Sequence, residues 1–106
     1  MNTRETIDSI RQAKLELQDS KLLEQFWFTD DRHVTATVGE KNGPVCAPIL
    51  VYRITESGSI VIGDGKSDWY QWEDIQVEGN VLRVRCGERA KDFTIEWPKQ
   101  KQRYLP

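Results

Sequence analysis

Gly79-Asn80-Val81-Leu82-Arg83-Val84-Arg85-Cys86-Gly87-Glu88-Arg89-Ala90-Lys91-Asp92-Phe93-Thr94-Ile95-Glu96-Trp97 sets the pattern that the rest of the chain repeats. Leu82, Val84 and Cys86 share one parity and are expected inside; Arg83 and Arg85 take the other. Phe93, Ile95 and Trp97 alternate in the same way with Thr94 and Glu96. A period of two is the mark of half-buried strands, and Gly79-Asn80 and Cys86-Gly87-Glu88 are turn signals. Upstream, Asp30-Asp31, Asn42-Gly43, Glu56-Ser57-Gly58 and Asp64-Gly65-Lys66 cut the chain again, so six breaks between Phe26 and Trp97 leave seven segments of strand length. No gap has room for a crossover helix, so neighbours should pair as antiparallel hairpins.

Within that ladder, Val34, Ala36 and Val38 are expected on one face and His33, Thr35 and Thr37 on the other. Asn42-Gly43 is the strongest hairpin signal, because this pair tolerates positive φ at both central positions. Val45 to Thr55 is apolar on both faces and reads as the most buried strand, with Pro48 marking a bend or bulge that switches the inner face. Period two breaks between Trp72 and Ile75, which places a bulge at Glu73-Asp74.

Residues 3–24 read as a helix. They contain no Gly or Pro, are rich in Gln, Ala, Lys, Leu and Glu, and carry an apolar stripe of Ile7, Ile10, Ala13 and Leu17. The expected fold class is therefore mainly β (α+β). One domain spans 1–106: helix 3–24, a seven-stranded antiparallel meander over 26–97 curled into a partial barrel, and a basic C-terminal tail 98–106. The helix is expected to plug one mouth or lie across the concave side.

The 106 residues include 30% charged and 38% hydrophobic side chains, with four Trp, three Tyr and three Phe, which is too aromatic and patterned for a disordered chain. No apolar run approaches a membrane span and the first residues form no secretory h-region, so a cytoplasmic protein is expected. Cys46 and Cys86 read as two small buried or half-buried residues on strands, with a disulfide left open. Residues 83–106 hold seven basic and three acidic side chains against a net charge of −2 for the whole chain. Such asymmetry marks either a surface for an anionic partner or a solvated face that protects an edge strand.

The segments Phe26-Trp27-Phe28, Tyr52-Arg53-Ile54, Ser59-Ile60-Val61-Ile62, Trp72-Glu73-Asp74-Ile75 and Gly79-Asn80-Val81-Leu82-Arg83-Val84 together resemble small bacterial lipocalin-like (calycin-like) β-meander domains. The resemblance covers about residues 26–97. It implies a curled antiparallel sheet with an internal apolar cavity, and it carries no catalytic residues. The chain differs from full lipocalins in its strand number, in lacking an initial Gly-x-Trp, and in having its helix at the N-terminus.

Motifs for chemistry are weak. His33 is the sole histidine, and Cys46 across the Asn-Gly hairpin is its best candidate nucleophile. A zinc site from His33, Cys46 and Cys86 lacks the usual ligand spacing. Asp64-Gly65-Lys66-Ser67-Asp68 lacks the ligand alternation of a calcium loop. Glu73, Asp74 and Asp68 near tryptophans offer a carboxylate pair of glycosidase type, against which the small size of the domain counts. No cofactor is expected.

Alternation puts Trp69 and Gln71 on one face of their strand and Tyr70 and Trp72 on the other, so at least one large aromatic should be exposed as a recognition anchor. Arg83, Arg85 and Lys91 are expected to project together from the last strands. The expected function is a non-enzymatic protein-binding role of inhibitor, immunity or adaptor type, from a bacterium or phage, through Trp69, Tyr70, Trp72, Arg83, Arg85 and Lys91. The alternative is a carrier of a small apolar ligand contacting Val34, Ala36, Leu82, Val84, Phe93 and Ile95. Nucleic acid is disfavoured by a pI near 5.4. A homodimer through the helix stripe or an edge strand stays open.

Overall fold

The computed structural model describes residues 2–98. The expected tail therefore lies outside the described residues from 99 onward. The helix α1 is Thr3–Ile10, and nine strands follow: β1 Lys14–Leu17, β2 Leu22–Phe28, β3 His33–Glu40, β4 Val45–Cys46, β5 Ile49–Ile54, β6 Ile60–Gly63, β7 Asp68–Glu78, β8 Val81–Cys86 and β9 Arg89–Glu96. All pairings are antiparallel.

The expected helix over 3–24 is too long. Asn2 caps α1, its side chain accepting from the Glu5 N–H at 2.8 Å while Glu5 Oε1 accepts from the Asn2 N–H at 2.9 Å. The helix ends because Arg11 turns extended and Gln12 takes φ 72°. Lys14-Leu15-Glu16-Leu17 then alternates with period two, and Leu15 and Leu17 go inside. Tertiary pairing overrides helix propensity here. β1 pairs with β2 on one side (Leu15↔Phe26) and β9 on the other (Leu15↔Ile95), which closes the sheet.

Closure corrects the partial barrel of seven strands. Around the barrel the order is β1-β2-β3-β5-β6-β7-β8-β9 and back to β1, with the two-residue β4 pairing β3 beyond β5. A barrel of eight strands has an interior that side chains can fill. Each of the eight barrel strands is paired on both sides, so the charges of the last strands do not serve edge protection.

The expected bulge is present: Asp74 has φ 52°, and the β7–β8 register shifts between Glu73 and Gln76. One extra residue there returns Ile75 to the inner face after Trp72. Gly79 and Gly87 take φ of 61° and 66° in the two-residue connections that flank β8. At Asn42-Gly43, in contrast, no positive φ occurs; the Gly43 N–H donates to the Glu40 carbonyl at 3.2 Å. The glycine required in this region is Gly39, where a Cβ would run into the Pro44 carbonyl.

Pro48 does not switch faces. Val38↔Cys46 and Thr35↔Ile49 belong to one unbroken register, and the Pro48 carbonyl accepts from the Ala36 N–H at 3.0 Å. Proline removes only a donor, so the ladder is interrupted without a slip. Nor is residues 45–55 the most buried stretch: Val45, Cys46, Ile49 and Arg53 are exposed, whereas every residue of β6 is buried.

The core fills the barrel. Trp72, fully buried, has ring centroids 5.1 Å from both Phe26 and Phe93 and 6.1 Å from Phe28. The edge-to-face packing on Phe26 and Phe28 adds to the burial energy. Ile7 and Ile10 of α1 join that core, and the Thr3 hydroxyl donates to the Gly58 carbonyl, so the helix covers the mouth carrying loops 29–32 and 55–59. The opposite mouth carries loops 18–21, 41–44, 64–67 and 87–88.

Candidate functional site

Sheet parity divides the six expected binding residues into two groups. Trp69, Arg83 and Arg85 face outward; Tyr70, Trp72 and Lys91 face inward. Trp69 is the extra residue of a second bulge, since Tyr70 pairs with Ile62 and Asp68 with Gly63. It is 40% exposed and remains a candidate anchor. Trp72 is no anchor: it is the hub of the core, because it shares parity with Tyr70 and lies deeper along β7.

Arg83 and Arg85 are neutralised in place. Arg83 Nε lies 3.0 Å from Asp92 Oδ1 and its Nη1 3.6 Å from Glu78. Arg85 holds Glu73 at 2.6 Å and Asp74 at 2.8 Å. These carboxylates push both guanidinium pKa values further up, hydrogen bonding first and Coulomb attraction second. The glycosidase-type pair is thereby committed to Arg85 on an outer surface.

Lys91 is not beside them. It has the parity of Phe93 and Ile95, and its ammonium lies 3.0 and 3.2 Å from the two carboxylate oxygens of Glu24. Glu24 shares the inward parity of Phe26 and Phe28 on β2. Their side chains are only 11% and 10% exposed. The pair forms where β1 has run out: Glu24 lies just past the last β1–β2 pair, Glu16↔Gln25, and Lys91 two residues from Phe93, which pairs with Leu17. Glu40 and Arg89 share inward parity at the same mouth but lie exposed at the ends of their strands, whereas Glu24 and Lys91 are held inside. Parity with Phe93 and Ile95 could have found Lys91, whereas Glu24 was hidden in the expected helix.

Tyr70 completes this mouth cluster. Lys91 Nζ sits 5.2 Å from its ring centroid, a cation–π distance. Burial, and then the negative charge of Glu24, push the phenol up to about 12, so it stays a neutral donor through the physiological range. Its hydroxyl makes no side-chain hydrogen bond among the described residues. A concavity of about 430 Å³ opens beside it, lined by Leu23, Glu24, Val38, Gly39, Pro44, Val45, Cys46 and Tyr70. Cys46 and Cys86 are both free and both reach this mouth, Cys46 exposed and Cys86 half-buried.

A second feature lies on the outer face and was missed in the sequence reading. The register Lys14↔Trp27, Trp27↔Thr35 and Thr35↔Ile49 sets one row across β1, β2, β3 and β5. Trp27 is 44% and Ile49 73% exposed. Beside the row, a groove of about 390 Å³ has Val51 and Val61 in its floor and Arg32, Arg53 and Lys66 around it. Arg53 pairs with Asp68 at 3.4 Å; Arg32 and Lys66 form no ion pair among the described residues. The signal was the odd parity of Trp27, Ile49 and Val51 on strands whose even positions fill the core.

The remaining candidates separate. His33 faces outward with Nδ1 3.0 Å from Asp30, whereas Cys46 lies on the inner face at the other end of β3, so no nucleophile–base pair forms. Asp64 is engaged as a loop brace, accepting from the Lys66 and Ser67 N–H groups at 2.8 Å, which lowers its pKa. Among the described residues no three His, Cys, Asp or Glu side chains gather as a metal site. Among the described residues no helix is long and apolar enough to cross a membrane.

Comparison with known proteins finds no match: no family model, no curated protein and no solved structure aligns significantly with this chain.

Proposed function

We propose that this protein is a non-enzymatic binding module that recognises another protein through the outer face of β2, β3 and β5. The observation that carries this reading is the row of Trp27, Thr35 and Ile49, two large apolar side chains left in solvent on strands that are paired on both sides. Exposed aromatic and aliphatic residues on a rigid scaffold are the usual anchors of interfaces. The adjoining groove supplies Arg32 and Lys66, with Arg53 shared by Asp68 in the same lining, so the partner segment that fits is acidic with apolar anchors. Its role would be occlusion of the partner, as an inhibitor, immunity protein or adaptor does. The barrel is the one that a lipocalin-like ancestry would supply.

The packing of the expected ligand contacts supports the protein-binding reading over the carrier alternative. Val34, Ala36, Leu82, Val84, Phe93 and Ile95 are at most 3% exposed and pack on one another and on Trp72.

Affinity capture from the host, followed by mass spectrometry, tests the proposal with four baits: wild type, Trp27→Ala/Ile49→Ala, Arg53→Glu and Trp69→Ala. The expected result is a stoichiometric partner lost with the first two variants and kept with Trp69→Ala. A partner retained by the Trp27/Ile49 variant, or lost only with Trp69→Ala, refutes the assigned face.

A further inference from the structure

The Glu24–Lys91 pair has no evident structural need. An ion pair taken out of water gains little over apolar residues of similar volume, and the other charged residues of inward parity at this mouth, Glu40 and Arg89, lie exposed at strand ends while Glu24 and Lys91 are held inside. A pair retained at such a place, beside a concavity and a phenol with a perturbed pKa, has the signature of a binding site.

The polar atoms that face the concavity fix its chemistry. Glu24 and Tyr70 line it, and Lys91 lies behind them. Lys91 takes one lone pair from each Glu24 oxygen, which leaves each oxygen further acceptor capacity. The Tyr70 hydroxyl is available as well. The walls are Leu23, Val38, Pro44 and Val45. An ammonium could donate to the Glu24 carboxylate and the Tyr70 oxygen while its apolar body lies on those walls. A carboxylate ligand would meet the like charge of Glu24 first.

We propose that the mouth concavity between Glu24 and Tyr70 binds a small primary amine with an apolar body. This site is separate from the outer protein-binding face and does not depend on it.

Isothermal titration calorimetry with 2-phenylethylamine, 2-phenylethanol and 3-phenylpropionate tests the proposal, with NMR shifts to place the ligand. The amine is expected to bind at least about tenfold tighter than the carboxylate, a difference of one opposite-charge contact in a partly buried site. Its shifts should centre on Val38, Cys46 and Tyr70 and leave Trp27 unmoved. Glu24→Leu/Lys91→Met removes both charges together, so the fold is not left with a lone buried charge, and it should abolish the preference. Tyr70→Phe should weaken the amine and leave the alcohol's rank below it. No binding of any probe, equal binding of all three, or an amine preference that survives Glu24→Leu/Lys91→Met overturns the proposal.

Discussion

Removing Glu24 alone should destabilise this protein far more than removing Glu24 and Lys91 together. Glu24→Leu would leave the Lys91 ammonium inside the barrel with its carboxylate partner at 3.0 Å gone. Breaking a fully buried pair in this way costs about 3–5 kcal/mol. The two side chains here keep 10–11% exposure, so the lower end of that range applies. A stability of about 5–15 kcal/mol is usual for a domain, and ~1 kcal/mol moves Tm by about 4–8 °C at this size. Glu24→Leu should thus lower Tm by more than about 10 °C. Lys91→Met should cost a similar amount for the converse reason, a carboxylate left without its cation. The double variant Glu24→Leu/Lys91→Met should lie within about 1 kcal/mol of wild type or above it, because apolar side chains of similar volume replace the whole pair. Urea unfolding followed by tryptophan fluorescence, with Trp72 in the core as reporter, measures all four corners of the cycle. A loss below about 1 kcal/mol for both single variants, as surface pairs give, would show the mouth to be solvated and refute the reasoning.

Three further outcomes follow from the geometry. Asp74, at φ 52°, should tolerate Asn but not Val, which a left-handed backbone disfavours by about 1–2 kcal/mol; equal urea midpoints for the two variants would contradict the bulge. Tyr70 has its folded-state pKa raised from 10.0 to about 12, so the native state holds the proton more tightly. The stability it contributes is complete below pH 10 and is lost as pH rises through 12, and the step near pH 12 in an absorbance titration should vanish in Tyr70→Phe, while Tyr52, which burial also raises, still ionises above the ordinary value. With a thiol-specific reagent on the native protein, Cys46 should react before Cys86, because one is exposed and the other half-buried; no thiol titre before reduction would mean that the two have paired.

Strand positions, turn positions and the bulge at Glu73-Asp74 were legible in the sequence, because period two and its interruption are local properties of the chain. The parity of Lys91 with Phe93 and Ile95 was legible too, yet its charge set it beside Arg83 and Arg85 and the sheet decided otherwise, while Glu24 fell within the expected helix. Lys14 to Leu17 carried no such local mark. Leu17 fits a helical stripe with Ile7 and Ile10 and also fits a strand with Leu15, and both periods are satisfied by the same letters. Only pairing with β2 and β9 selects the strand, since eight hydrogen-bonded strands close the barrel and seven would leave two open edges. Trp72 became core, Trp27 became surface and Tyr70 came to face Glu24 through that closure. A strand's two faces are written in its sequence; which of them lies inside, and what meets it there, depends on partners far along the chain.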